Sequence, residues 1–199
     1  KNVTPPTANE TQWLMLETKT SKMAIANVYL ACQSSKNRNY LDWNMEIYND
    51  LKADVEVLRD LNFAIFLVGD FNGWTGVQKG MEDNNPVVNE NGKLLLDFIN
   101  EEEMYMLNRL NTTDQVFTRV HYSNNGRLLS QSCLDYALIS KESRIGKWTF
   151  ELIEANEKLG INTDHRMIKV TGEVNIIRKQ NCKNRTKPRF KNENLNDRY

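Results

Sequence analysis

The sequence predicts a layered α/β fold in which helices cover a sheet, and three observations lead there. Short apolar runs of strand length recur along its 199 residues. Amphipathic segments of helical period alternate with them. The most hydrophobic run ends abruptly in Gly69-Asp70-Phe71-Asn72-Gly73, where glycine permits a tight departure from a sheet.

The elements follow in order. Pro5 and Pro6 break any regular structure in the first dozen residues. Trp13 to Glu17 and Met23 to Leu30 read as two strands joined by the polar turn Lys19-Thr20-Ser21-Lys22. The second, MAIANVYL, is nearly continuous in apolar residues, as a strand buried on both faces would be. Leu41, Met45, Tyr48, Leu51, Val55 and Leu58 then recur at helical spacing, with Asp50, Lys52, Asp54 and Glu56 on the opposite face. Phe63 to Val68 reads as a central strand. A polar loop to about Asn91 precedes a second amphipathic helix marked by Leu94, Leu95, Phe98 and Ile99 and extended by Glu101 to Glu103. Further strands are expected near Val116–Val120, Cys133–Ile139, Thr149–Ile153 and Arg166–Val174. One domain over residues 1–177 is expected, followed by a tail or linker over 178–199.

Composition bounds the chemistry. Hydrophobic residues make up 40% and charged residues 26%, ordinary for a globular chain, and no apolar stretch is long enough to span a membrane. The opening KNVTPPTANETQ has no apolar core and does not read as a signal peptide. Cys32, Cys133 and Cys182 are odd in number and widely spaced, which argues against a disulfide framework or a zinc site and for free thiols in a reducing, intracellular (nuclear or cytoplasmic) setting. Sequons beginning at Asn2, Asn9, Asn111 and Asn184 read as chance in an Asn-rich chain. The net charge of zero hides an asymmetry. Residues 178–199 hold eight Lys or Arg and two acids, net +6, which leaves a body of 18 basic and 24 acidic residues, net −6. The tail is either an arm that touches polyanions or a solvated terminus.

Three constellations carry the candidate chemistry. Asp70 and Asn72, two apart on an extended segment, would point the same way and offer an ionised acceptor beside an amide, a pairing suited to holding and deprotonating water. The bland alternative is an Asx turn after the strand. Asp135 lies in the apolar segment Ser132-Cys133-Leu134-Asp135-Tyr136-Ala137-Leu138, where a carboxylate is costly to bury without a partner; otherwise it faces outward. Thr163-Asp164-His165 opens the last strand and contains one of only two histidines, which in isolation would read as a surface histidine. Arg119 and His121 precede Asp135 in what reads as a plain surface loop.

The ordered set GDFN (69–72), SCLDYAL (132–138) and TDH (163–165), with NVYL (27–30) upstream, resembles the endonuclease/exonuclease/phosphatase (DNase-I-like) superfamily over roughly residues 12–175. Within it, Asn-Gly-Lys-Leu-Leu-Leu-Asp-Phe (91–98) with Leu107-Asn108, and the tail segment Lys187-Pro188-Arg189-Phe190, resemble the endonuclease domain of non-LTR retrotransposons.

The resemblance implies a two-layer β-sandwich flanked by helices, incomplete at its N-terminal side, with one inner sheet face exposed. It implies that Asp70 activates or aligns water, that Asn72 orients water and phosphate, and that His165 contacts the phosphate. Asp135 would accept a hydrogen bond from the His165 ring, Tyr29 would donate to a phosphate oxygen, and Asp164 would sit on the metal side. The metal would be Mg²⁺, with Mn²⁺ as an alternative. DNA is the implied partner, with a reverse transcriptase module or the missing N-terminal half as further ones. The family's first-strand Asn and its metal-ligand Glu are expected upstream of this sequence, and Glu17 is a poor substitute. The implied activity is metal-dependent nicking of DNA. The alternatives are an inactive remnant, a nucleic-acid-binding module, or a phosphatase of the same superfamily.

Overall fold

The computed structural model describes residues 11–17, 21–33, 39–78, 81, 85–110, 117–141, 147–153 and 163–172. The basic tail, Cys182, the asparagines of the four sequons, and Lys19 and Thr20 of the first turn lie outside them. The described elements are β1 (Thr11–Glu17), β2 (Lys22–Tyr29), α1 (Tyr40–Asp60), β3 (Ala64–Asp70), α2 (Glu90–Glu101), β4 (Met104–Met106), a 3-10 turn (Leu107–Leu110), β5 (Arg119–Tyr122), β6 (Leu128–Ser132), β7 (Asp135–Ser140), β8 (Trp148–Ile153) and β9 (Met167–Gly172).

A five-stranded sheet of order β1-β2-β3-β7-β4 forms the centre. Its β2 and β3 are parallel, joined over one face by α1, and every other neighbouring pair is antiparallel. The run FAIFLV is central as expected, since β3 is hydrogen-bonded on both sides. Alternate residues divide the core. Ala24, Ala26, Val28, Ile65, Leu67, Tyr136 and Leu138 face the helices and pack with Tyr48, Leu51, Val55, Leu58, Leu95 and Phe98. Phe66, Val68, Ala137 and Ile139 face the other way and pack with Phe150, Trp148, Leu152, Ile168 and Val170 of the β8–β9 hairpin. The result is the layered α/β arrangement that the pattern of runs predicts.

Four local expectations are corrected. First, β2 is not buried on both faces: Ala24, Ala26 and Val28 are buried, while Asn27 and Tyr29 are exposed. The β8–β9 hairpin covers β3 and β7 and leaves this face of β2 open, so Leu14 and Leu16, paired to Ile25 and Met23, are 55% and 45% exposed. Second, α1 buries Asn44 in place of Met45, because the backbone of Ala31 needs a polar partner there (Ala31 N–H donates to Asn44 Oδ1, 2.9 Å). Third, α2 stops at Glu101, and Glu103 has φ of +45°, outside the helical region. Fourth, β4, the 3-10 turn and β6 carry too weak a pattern to be seen in advance: β4 has three residues, and β6 (LLSQS) is largely exposed and pairs only with β5.

Gly69 is obligatory at the end of β3. Its φ is +151°, and a Cβ there would lie 1.9 Å from the Val28 carbonyl oxygen on the neighbouring strand. Glu17 sits at the far end of the β1–β2 ladder from Tyr29 and is paired with Lys22 (2.8 Å). Cys32 is exposed and Cys133 buried, and both are free thiols as expected.

Candidate active site

Strand register gathers the predicted residues at one edge of the sheet. Tyr29 pairs with Asp70, and Asp70 pairs with Asp135, so three strand ends stand side by side. Asp70 shares the face of Phe66 and Val68, and Asp135 that of Ala137 and Ile139. This is the face covered further along by the β8–β9 hairpin. The chain before β9 brings His165 to the same edge, held by an antiparallel bridge between Arg119 and His165. Val120 N–H donates to Asp164 O (2.8 Å) and Arg166 N–H to Thr118 O (2.6 Å), which staples residues 164–166 onto β5.

His165 Nδ1 lies 2.9 Å and 3.1 Å from the two oxygens of Asp135. A carboxylate only accepts, so the proton of this bond sits on Nδ1 and Nε2 is the free end. Asp135 is therefore not an outward-facing charge but the partner of the ring. Its hydrogen bond and charge hold the His165 pKa above the ordinary histidine value, against desolvation. Asp70 is pushed up to about 6, first by burial and next by the Asp135 charge, with the Asn72 backbone N–H pulling the other way.

Asn72 departs from the expected geometry. It is not extended but left-handed, with φ of +46°, so its side chain does not run parallel to that of Asp70. Its N–H donates to Asp70 Oδ1 (2.9 Å), the Asx turn of the bland reading, and its Nδ2 donates to Leu30 O (2.8 Å). Asp164 lies beside the His165 ring and pairs with Arg119. Its Oδ2 is 2.6 Å from Arg119 Nη2 and 3.8 Å from His121 Nδ1, while its Oδ1 is 4.0 Å from His165 Nε2. Arg119 thus belongs to the site edge rather than to a plain loop.

Among the described residues, Asp70, Asp135 and His165 offer ligand atoms within 4.8 Å of one another, and Asp164 is not in that group. Two adjacent carboxylates suit a hard cation that prefers oxygen, and the mutual repulsion that raises Asp70 is what such a cation would relieve. The donor set of Asp70, Asp135 and His165 therefore fits a divalent ion.

Two further residues hold the backbone around Asp135: Thr118, which carries no signal of its own in the sequence, and Asn108 of the Leu107-Asn108 pair. Thr118 is fully buried, and its Oγ1 accepts from Leu134 N–H (2.9 Å) and Asp135 N–H (3.0 Å). Asn108 is buried beyond the end of β4, with Nδ2 donating to Asp135 O (3.0 Å) and Oδ1 accepting from Ala137 N–H (3.0 Å). Its amide continues the ladder of β7 where β4 has stopped. Tyr136 is fully buried, and its hydroxyl donates to Gly73 O (2.8 Å), anchoring the loop after Asp70.

The Asp70 environment has a consequence for stability. A carboxyl whose folded pKa is raised contributes stability that is fully present below its unfolded value of about 4 and is lost as pH rises through about 6. His165, also raised, adds stability that is lost as pH rises above its ordinary 6.5. The thermal midpoint is thus expected to fall as pH rises from 4. Asp70→Asn should raise the midpoint at pH 7.5 by a few degrees and flatten the profile between pH 4 and 6. Added Mg²⁺ should raise the midpoint of the wild type but not of the variant. A variant that melts lower than wild type at pH 7.5 would contradict the electrostatic account of Asp70.

No protein-family model matches the sequence, and no curated protein matches it. Solved structures do. The endonuclease domain of TRAS1, a telomere-specific non-LTR retrotransposon, superposes with a TM-score of 0.50 at 15% identity, over 84% of this chain and 63% of that one. An endonuclease/exonuclease/phosphatase family protein from Bacteroides thetaiotaomicron gives 0.50 at 12% identity, over 80% and 54%. A variant of the 3′ phosphatase NExo from Neisseria, bound to product DNA hairpin, gives 0.51 at 11% identity, over 82% and 64%. The chain thus spans between 54% and 64% of the length of these structures. No helix among the described residues is long and apolar enough to cross a membrane. On these superpositions, the chain has the fold of the endonuclease/exonuclease/phosphatase superfamily, the DNase-I-like fold.

Proposed function

We propose that this chain carries the hydrolytic residues of a metal-dependent phosphodiesterase, and that its substrate is DNA, which it nicks by attack of water on a backbone phosphate. The observation that supports this best is the Asp135–His165 pair standing beside Asp70 on one sheet edge. Asp70 aligns the attacking water and accepts its proton. His165, whose protonated form Asp135 favours, presents Nε2–H to the phosphate, where charge builds up in the transition state. Tyr29, next to Asp70 across the ladder and 47% exposed, would donate to a non-bridging oxygen. Asn72 serves through its backbone N–H, which holds Asp70, rather than through its side chain.

Magnesium, or manganese in its place, would be held by Asp70 and Asp135 and would neutralise charge on the phosphate. Asp164 acts here through Arg119, which it holds at the edge of the site. DNA is favoured over other phosphate esters because two of the matched structures are, by their titles, a retrotransposon endonuclease domain and a phosphatase solved with a DNA hairpin. A reverse transcriptase module or the rest of the domain would be further partners on the same reading.

The test is nicking of supercoiled plasmid with Mg²⁺, with and without EDTA, by the wild type and by Asp70→Ala. Nicking is expected to vanish with EDTA and with the substitution. It should rise with pH through a value at or below about 6, as Asp70 ionises, and fall on the alkaline side as His165 loses its proton. Nicking that survives EDTA would reject the metal-dependent mechanism. Folded protein that binds plasmid without cutting it would favour the binding-module reading.

A further inference from the structure

Beneath the site lies a cluster of buried amides that the chemistry above does not use. Asn44 of α1 and Asn91 of α2 are 0% and 1% exposed. An amide buried in a helix is costly unless its hydrogen bonds are made, and here they are made. Asn44 Oδ1 accepts from Ala31 N–H, and its Nδ2 donates both to Ala31 O and to Asn91 Oδ1, each at 2.9 Å. Asn91 Nδ2 donates to Ala31 O (3.0 Å) and to Asn72 O (3.2 Å). Asn89, the N-cap of α2, adds a bond from Nδ2 to Asn72 O (3.2 Å) and accepts from Trp74 N–H (2.8 Å).

The two backbones so joined are the segments that leave β2 just after Tyr29 and β3 just after Asp70. Apolar residues would fill the same volume but leave Ala31 N–H, Ala31 O and Asn72 O without these partners, so the amides serve the two loop backbones rather than the packing of the helices. The first turn of α2 also lies flat on the loop: a Cβ at Gly92 would meet Trp74 O at 1.8 Å. The chain of contacts then ends on the site, because Asn72 N–H donates to Asp70 Oδ1.

We propose that Asn44 and Asn91 are positioning residues of the phosphodiesterase site, fixing the left-handed Asn72 backbone so that its N–H holds the Asp70 carboxylate in register with Tyr29. The proposal rests on the reading of the site given above. A network that is fully satisfied specifies one arrangement of two loops, whereas apolar contacts would leave them free to slide.

The experiment compares wild type with Asn91→Leu, and with Asn91→Ser should the leucine variant not fold. Leu95→Ala, a buried neighbour on the same helix, is the control for plain destabilisation. The first readout needs no substrate: the Asn72 backbone amide in ¹H–¹⁵N spectra. In the Asn91 variant its proton resonance should move upfield and its hydrogen exchange should quicken by on the order of tenfold relative to Leu67, the weight of one hydrogen bond to a charged group. Leu95→Ala should leave that ratio unchanged. The second readout is Mg²⁺-dependent nicking of supercoiled plasmid, where kcat should fall by up to ~10²-fold while KM stays close to wild type. An unmoved Asn72 amide overturns the proposal whatever the activity, and so does an equal response in Leu95→Ala. A moved amide with unchanged kcat overturns the link to catalysis. If the wild type nicks nothing, the phosphodiesterase reading fails separately, and the amide still decides whether Asn91 sets the loop.

Discussion

His165→Ala is expected to lower the rate of Mg²⁺-dependent nicking by ~10²–10⁴-fold, the range that a positioned acid or base contributes. The ring is gripped through Nδ1 by both oxygens of Asp135, which leaves Nε2 as the only end able to meet substrate. Asp135→Asn should lose nearly as much, for a different reason. An amide can present its N–H to Nδ1, which turns the ring into the opposite tautomer and takes away the charge that holds its pKa up. The double variant should be little worse than either single one, because both changes disable one unit. Steady-state nicking by the four forms, each checked for native circular dichroism, measures this. Additive losses would show that Asp135 and His165 act separately and would reject the dyad.

Gly69→Ala is expected to abolish folding rather than to tune activity. The added Cβ would meet Val28 O at 1.9 Å and the Val28 carbonyl carbon and nitrogen at 2.8 Å, and all three are backbone atoms of the paired strand. No side-chain torsion can relieve a clash made by Cβ itself, so β2 and β3 would have to part in the middle of the sheet. A cost above about 4 kcal/mol follows, a large share of the roughly 5–15 kcal/mol that holds a typical domain together. Gly126→Ala is the comparison. That residue also has positive φ (+78°) but nothing within 4 Å, so only the backbone penalty of roughly 1–2 kcal/mol applies. Urea unfolding followed by circular dichroism separates the two. A Gly69→Ala chain with a wild-type midpoint would mean that β2 and β3 do not pack as closely as described.

Much of this molecule is legible in the sequence because it depends on local pattern. FAIFLV read as an interior strand, the period from Tyr48 to Leu58 as a helix with one buried face, and the order GDFN, SCLDYAL, TDH pointed to one fold family. These signals survive because burying an apolar face at the right period is the largest favourable contribution to folding, and each run is written contiguously. Packing in three dimensions supplied what contiguity cannot express. Asp135 and His165 are thirty residues apart, and only the antiparallel pairing of β3 with β7 and the Arg119–His165 bridge put them in hydrogen-bond contact. Whether Asp70 was a candidate reactive carboxylate or the acceptor of an Asx turn was undecidable locally, and the two do not exclude each other: the turn holds the oxygen, while burial beside Asp135 raises its pKa. That Asn44, Asn91 and Asn108 are buried and bonded could not be read locally, because a buried amide differs from a solvated one only in partners drawn from distant parts of the chain. Local pattern thus specified the layers and the chemical cast at the strand ends. The pairing of strands chose which of those groups touch, since electrostatics and hydrogen bonds act over a few ångströms and the register of the sheet sets those distances.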